Sequence, residues 1–465
     1  MVKLRRAAPV LLAGVVVSLL ATTAMAAGGR AIDTAADYSP GSRFEPLAAS
    51  APCGPATDAP FELPDGYDQE VVATEGEGGT IDLWDMITQN EFGKDAGRYV
   101  YRTHETGTGG QVSVTDLKSG ETRVLAQRAD WERFDGIVWT PWGTILAAEE
   151  VITASVRDPA VPEARAGLVY EFFIDPKHPD RLKTDDPRDD VEPTNDGVAV
   201  RPALGSKSHE GMRFDKHGNH YGISESNPGA IYRFVPDRKG DLSEGTLQAL
   251  KTANGHDGEG TWVDIPDDLA RVDAQPAAAE LGANGYNRPE DVETGQSTGV
   301  DRNNGGNTLY VAITGTDEVL AIDLSRSRRP FAYDYVFTAE HPPTSSGVAN
   351  APVGAFDSPD NLALDRKGNL AITEDPSTNP VGADIWVAAP PTSGRHRPAS
   401  TVARFASLMD CEAEPTGIYF ALKGTERYTK GTAQVTGESL LVNRQHAGQG
   451  TTSDQTIAIT PDTGD

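Results

Sequence analysis

Three stretches of this chain follow one plan, and that plan limits what it can fold into. Phe356 to Asp375, FDSPDNLALDRKGNLAITED, starts at an acidic corner of Asp357, Asp360 and Asn361 and crosses a short apolar run. It turns at Asp365 to Asn369 and returns through Leu370 to Thr373 into Glu374 and Asp375. His209 to Glu225, HEGMRFDKHGNHYGISE, repeats the acid, the strand, an Asp-x-x-Gly-Asn turn, the second strand and the final acid. Asp135 to Glu149, DGIVWTPWGTILAAE, repeats it again with Pro-Trp-Gly as the turn. Asp, Gly and Asn supply the positive-φ positions of a short turn, and the flanking apolar residues are strand formers. A hairpin closed at one end brings the acids at its open end together. The first and last acids stand 15 residues apart in Glu210/Glu225 and 14 apart in Asp360/Glu374 and Asp135/Glu149. A degenerate fourth copy starts at Glu412 to Gly417 and returns, after an insertion, at Leu440 to Asn443.

Hairpins repeated at irregular intervals predict radial repetition, which needs only short strands. The expected fold is all-β, a six-bladed β-propeller with loop insertions, at about 40 to 45 residues per blade; a β-sandwich is the alternative. The 48 Gly and 32 Pro residues suit short strands and many turns better than long helices. Residues 1–26 read as a signal peptide, with Lys3, Arg5 and Arg6 before the apolar run Ala7 to Leu20 and the small-x-small site Ala24-Met25-Ala26. Residues 27–64 form an irregular lead, 65–447 a single propeller domain and 448–465 a flexible tail. No later run reaches the roughly 18 apolar residues that cross a bilayer, so the expectation is a secreted or periplasmic protein with no membrane span, acting as a monomer. In that setting Cys53 and Cys411 either bridge the first and last parts of the ring or stay as two buried thiols.

The formal charge of −28 repels phosphate backbones, which argues against nucleic acid binding, and accommodates divalent cations. The carboxylates at the hairpin mouths are the metal candidates: Glu149, Glu210, Glu225, Glu290, Glu374, Glu414 and Asp360 come from separate parts of the pattern, and a propeller would gather them around one channel. Calcium takes six to eight oxygen ligands of this kind. Any one such acid could equally be a turn cap or a solvated charge. His104, His209 and His446 stand beside acidic or amide residues at strand boundaries, where an imidazole can ligate, transfer protons or hold a carboxylate. Arg102, Arg288 and Arg444 lie within the same strings, and a guanidinium beside bound cations suits an anion such as phosphate. No P-loop or dinucleotide fingerprint is present.

The motifs RTHETGTGG (102–110), DGIVWTPWGTILAAEE (135–150), SHEGMRFD (208–215), RPEDVE (288–293), SPDNLALDRKGNLAITED (358–375), CEAEPTG (411–417) and LLVNRQHAG (440–448) together resemble the PhoX-type alkaline phosphatase family. The resemblance spans about residues 65 to 450. It implies a six-bladed propeller with a central calcium and iron site that hydrolyses phosphoesters outside the cytoplasm. On matching positions it implies Glu210, Glu290 and Glu414 as metal carboxylates, with Glu149, Glu374 and Asp360 as further ligands, and Arg288 or Arg444 as the phosphate clamp. His104 or His446 would orient the nucleophile or leaving group. The chain departs from the family in one respect. A cysteine belongs among the family's iron ligands, but Cys53 lies too early and Cys411 belongs to a different motif, which leaves Ca2+ as the expected ion and Fe3+ as an open addition. The expectation is a secreted calcium-dependent phosphatase acting on a small phosphorylated substrate through metal-activated water or hydroxide. A metal-dependent esterase or lactonase on a propeller, or a non-catalytic calcium-binding propeller, are the alternatives.

Overall fold

The computed structural model describes residues 46–54, 57–188, 196–295, 308–326, 328–338, 355–375, 381–422, 425, 428–430, 433–446 and 453–462. The expected signal peptide, 1–26, lies outside the described residues.

Antiparallel strands dominate, as the short apolar runs and frequent turns require, with one α-helix of any length, Asp267–Glu280, among the described residues. Three separate four-stranded sheets are present. One is built from Trp84–Gln89, Tyr99–His104, Gln111–Asp116 and Glu121–Gln127 in chain order. Another takes Phe134–Trp139, Ile145–Glu149, Val169–Phe172 and Val198–Val200. The third combines Glu414–Phe420 and Leu440–Gln445 with Gln455–Pro461 and, from the other end of the chain, Tyr67–Thr74. A five-stranded sheet runs from Pro359–Leu364 through Leu370–Glu374, Asp384–Ala389 and Thr401–Leu408 to the short Phe61–Glu62.

Two short pairs, Ile174–Asp175 with His178–Leu182 and Tyr428–Lys430 with Ala433–Val435, stand apart, and nine further strands form one continuous sheet. Its first half is Met212–Phe214, His220–Ile223, Ile231–Pro236 and Gly245–Thr252, and its second is Pro289–Glu293, Thr308–Ile313, Glu318–Asp323 and Phe331–Val336. Gly258–Asp264 joins them, pairing with Gly245–Thr252 on one side and with Phe331–Val336 on the other. The arrangement is all-β and propeller-like, but this junction makes the pairing pattern differ from six separate blades.

Apolar faces of adjacent sheets pack together and make the cores. Between the first two four-stranded sheets lie Tyr101, Trp131, Phe134, Tyr170 and Phe172. Burying an aromatic side chain of this size stabilises the fold by about 2 to 3 kcal/mol. The ends of the chain are tied into the ring. Within 448–465, read from sequence as a tail, Gln455–Pro461 is a buried strand between Tyr67–Thr74 and Leu440–Gln445. Apolar Ile457 and Ile459 alternate with neighbours of the core, which the Thr/Ser/Asp-rich composition around them obscured. Cys53 and Cys411 are joined by a disulfide across 358 residues of sequence.

The first strand of each unit is the innermost. Trp84–Gln89, Phe134–Trp139, Met212–Phe214, Pro289–Glu293, Pro359–Leu364 and Glu414–Phe420 each contact the next, and the last contacts the first. They approach so closely that Gly136 and Gly211 are required: a Cβ on Gly136 would lie 1.9 Å from the Glu210 carbonyl oxygen, and one on Gly211 1.8 Å from Asp291 Oδ1. Five of these strands also slip register, four at their start, between Trp84 and Ile87, Phe134 and Ile137, Pro289 and Val292, and Pro359 and Leu362, and the fifth in mid-strand, between Thr416 and Tyr419. Such an irregularity re-aims the side chains within it. Asp85, Asp135, Glu290 and Asp360 lie inside the first four of these stretches.

Candidate active site

At the acidic ends of the inner strands is a cavity of about 540 Å³. The inner strands and the residues leading into them contribute Asp85, Asp135, Glu210, Glu290, Asp360, Glu412 and Glu414. The residues just past the second strands contribute Glu105, Glu150, Glu225, Asp375 and His446. Arg133 and Arg288 complete the charged lining. Carboxylates from distant parts of the sequence therefore face one another. Ligand oxygens of Glu210, Glu290 and Asp360 all lie within 4.8 Å of one another, as do those of Asp85, Glu105 and Asp135.

Gathering so many carboxylates out of water is costly, and their proton affinities record it. Burial first, and then neighbouring Glu105, pushes the Asp85 carboxyl up to about 8. Burial likewise pushes Glu290 up to about 7. Glu210 is raised well above the carboxylate range by burial and by Glu290, Asp135 by burial and by Asp85, and Glu414 by burial and by Asp375. Asp135 Oδ1 is buried with no hydrogen-bond partner among the described residues. An all-oxygen donor set with surplus negative charge and an unsatisfied buried oxygen fits a hard divalent cation.

The cavity's basic groups are few and held at fixed places. Arg288 donates from Nε to Glu225 at 2.9 Å and pairs through Nη2 with Glu290 at 2.8 Å. Arg133 pairs with Glu150 at 2.7 Å and with Glu105. His446 Nε2 lies 3.4 Å from Glu414 Oε1. All three residues have left-handed backbones, with φ of 52°, 43° and 55° for Arg288, Arg133 and His446. A non-glycine residue held there stores of order 1 to 3 kcal/mol, and such residues cluster at functional sites. Around them Thr416 Oγ1 donates to Asp85 at 2.5 Å, Asn361 Nδ2 donates to Asp360 at 3.0 Å, and Gln445 Nε2 bridges Asp85 and Glu105 at 3.3 and 3.2 Å.

Of the residues singled out from sequence, Glu210, Glu290, Glu414, Asp360, Arg288 and His446 line the cavity. Glu149, Glu374, His104 and Arg444 do not, and each has other work. Glu149 accepts the backbone N–H groups of Glu132 and Leu168, both at 2.9 Å. Glu374 accepts those of Asp357 and Asp384 at 3.0 and 3.1 Å and the indole N–H of Trp386 at 2.7 Å. The His104 imidazole is fully buried between the Ile81 carbonyl and the Ser113 hydroxyl, each at 2.9 Å. Arg444 donates to the carbonyls of Thr57 and Ser453 at 3.1 and 3.2 Å.

The physical reason is strand alternation. His104, Glu149 and Glu374 are the last paired residues of their strands, opposite Trp84, Phe134 and Pro359. Successive side chains of a strand point to opposite faces, so the next residues, Glu105, Glu150 and Asp375, enter the cavity instead. Arg444 differs: it is the penultimate residue of its strand, and His446, two residues on and past the strand's end, reaches the cavity from a left-handed backbone rather than by alternation. Arg133, Glu150, Asp85, Asp375 and Glu412 were given no site role from the sequence. The signal for Glu150 and Asp375 was present, because each follows the acid that closes its repeat.

The family described as alkaline phosphatase PhoX matches residues 138–448. Among solved structures, Pseudomonas fluorescens PhoX in complex with vanadate, a transition state analogue, is similar with a TM-score of 0.57 at 18% identity, covering 90% of this chain and 98% of that one. An auxiliary nutrient binding protein from Bacteroides thetaiotaomicron is similar with a TM-score of 0.45 at 10% identity, covering 89% of this chain and 76% of that one. No curated protein sequence matches the chain.

Proposed function

The chain belongs to the alkaline phosphatase PhoX family, and from that premise we propose that its acidic cavity is a calcium-dependent phosphoesterase centre. The chain is a phosphoric ester hydrolase on a propeller-like fold, which disfavours the esterase, lactonase and non-catalytic alternatives. The observation that carries the site assignment is the convergence of Glu210, Glu290 and Asp360 beside Arg288 inside the family-matched segment.

In this reading Glu210, Glu290, Asp360 and Glu414 are cation ligands, joined by the second cluster of Asp85, Glu105 and Asp135. Calcium suits their hard oxygens, and when bound it supplies positive charge for phosphoryl oxygens and lowers the pKa of water. Iron held through a thiolate does not fit, because the chain's two cysteines are both spent in the Cys53–Cys411 disulfide. No step is assigned to iron.

The protein's own groups then divide the work. Arg288 and Arg133 each keep N–H donors beyond those used on their carboxylate partners, and a guanidinium fork meets two oxygens of a phosphoryl group at once. Their ion pairs with Glu225, Glu290, Glu105 and Glu150 preorganise them toward charge that builds in the transition state. His446, half-exposed beside Glu414, is placed to hand a proton to the departing oxygen. Glu149, Glu374, His104 and Arg444 receive no role in chemistry. The substrate is a small phosphoester that enters from solvent. We read the nine-stranded sheet as two blades joined by Gly258–Asp264, which gives six in all, and residues 1–26 as an export segment. The disulfide is of the kind kept in oxidising compartments.

The test is hydrolysis of a phosphomonoester, a phosphodiester and a lactone by wild-type protein and by Glu290→Gln, before and after chelation and with Ca2+ or Fe3+ restored. Phosphoester turnover lost on chelation, recovered with Ca2+ and reduced at least about 10²-fold in Glu290→Gln is expected. Unchanged turnover in Glu290→Gln would remove the site assignment, and recovery with Fe3+ but not Ca2+ would remove calcium.

A further inference from the structure

Away from the phosphoesterase cavity, one imidazole faces two buried carboxylates where Gly258–Asp264 joins the two halves of the nine-stranded sheet. His256 sits in the turn between Gly245–Thr252 and Gly258–Asp264, Glu318 opens the strand Glu318–Asp323, and Asp334 lies on Phe331–Val336. None of the three lines the cavity described above. His256 Nε2 is 3.4 Å from Glu318 Oε2 and 3.6 Å from Asp334 Oδ1, and the three residues' ligand atoms all lie within 4.8 Å of one another.

These separations are long for hydrogen bonds but natural for atoms that share a cation. Ligands about 2.0 to 2.1 Å from a tetrahedral metal stand roughly 3.3 to 3.4 Å apart. The second observation is Asp334 itself. Its side chain is 2% exposed, its Oδ1 faces the imidazole, and the other oxygen of the same carboxylate, Oδ2, has no hydrogen-bond partner among the described residues. An unpaired buried carboxylate oxygen is costly, and a bound cation would offset that cost.

The surroundings hold the three groups ready. Thr316 Oγ1 donates to Glu318 Oε1 at 2.8 Å, which fixes that carboxylate with Oε2 toward His256. The His256 carbonyl accepts from Tyr286 Oη at 2.8 Å and from Asn284 Nδ2 at 3.3 Å, which pins the turn. A neutral imidazole with two carboxylates neutralises a divalent ion, whereas an imidazolium in the same place leaves one negative charge buried.

We propose that His256, Glu318 and Asp334 form a second metal site, for a zinc-class divalent cation, that clasps the Gly245–Asp264 hairpin to the neighbouring half of the sheet. One nitrogen and two carboxylate oxygens with an open fourth position match that class and supply too few oxygens for calcium. The ion would reinforce the contact where Gly258 and Glu259 pair with Ala332 and Phe331.

Co2+ is the probe, because its visible absorption reports tetrahedral nitrogen and oxygen ligation. Chelated full-length protein is given excess Ca2+ and titrated with Co2+, with the thermal midpoint followed in parallel using Zn2+. Wild type and Glu290→Gln should take up one Co2+ equivalent with visible absorption, and Zn2+ should raise both midpoints. His256→Ala and Asp334→Asn should lose that equivalent and the Zn2+ response. Glu318→Gln, which keeps the shape of the site, decides the matter if either of those variants fails to fold. Absence of the absorption in wild type would overturn the proposal and leave an imidazolium ion pair; equal uptake by folded His256→Ala or Glu318→Gln would overturn it too.

Discussion

The two ends of one repeated hairpin carry the same acids in opposite states. At the turn, Asp365 accepts the backbone N–H groups of Lys367 and Asn369 at 2.7 and 2.8 Å and the Asn369 side chain at 2.7 Å. Asp215 does the same with His217 and Asn219, at 2.8 and 3.0 Å and with the Asn219 side chain at 2.8 Å. At the mouth, Asp135, Glu210 and Asp360 meet other carboxylates. Local sequence satisfies an acid at the turn, whereas the acids at the mouth face one another. The turn is a structural device, and the mouth is where we place binding.

The largest test of that contrast is Asp360→Asn. It should lower kcat/KM for a phosphomonoester by about 10²-fold or more while raising the thermal midpoint of the chelated protein, since it removes one of several crowded charges. A lower midpoint would mean that the mouth acids are structural after all. Arg288→Ala should cost about 10-fold to 10²-fold in kcat/KM, with Arg288→Lys recovering little because an ammonium cannot reproduce the fork. Full recovery by lysine would reduce the arginine to a point charge.

Asp365→Ala should act in the opposite sense. Losing the acceptor for two turn amides should destabilise the fold by about 1 to 3 kcal/mol in denaturant titration, with kcat/KM unchanged. A catalytic defect without a stability defect would erase the distinction between the two ends.

The smallest effect concerns Asp323, far from both. Burial alone would raise its carboxyl, but hydrogen bonds from Ser325, His396 and Arg395 hold it below the usual 3.8. Its folded pKa is depressed, so the stability it contributes is present above about pH 4 and fades as the pH falls further. Asp323→Asn should therefore flatten the acid limb of the midpoint-against-pH curve below pH 4. A limb of unchanged slope would place the acid sensitivity elsewhere.

Much of the hairpin plan was legible because it is local. The Asp-x-x-Gly-Asn turns, the apolar runs and the acids at each open end follow from spacing and turn chemistry, and Glu210, Glu290, Glu414, Asp360, Arg288 and His446 were within reach on those grounds and on the family motifs. What spacing missed was orientation. Glu149 and Glu374 close their repeats as acids should, yet alternation turns both toward backbone amides and gives the cavity to Glu150 and Asp375.

Turns and strand periods are short-range properties, so the residues alone specify a β-rich series of acid-ended hairpins and the chemistry of its lining. Which acids meet depends on long-range packing. Register slips at Trp84, Phe134, Pro289 and Pro359 aim Asp85, Asp135, Glu290 and Asp360 inward. The close approach permitted by Gly136 and Gly211 sets how near adjacent inner strands come. The pairing of Gly258–Asp264 with a distant strand brings His256 to Glu318 and Asp334. These are contacts between segments tens to hundreds of residues apart, and no local pattern encodes them.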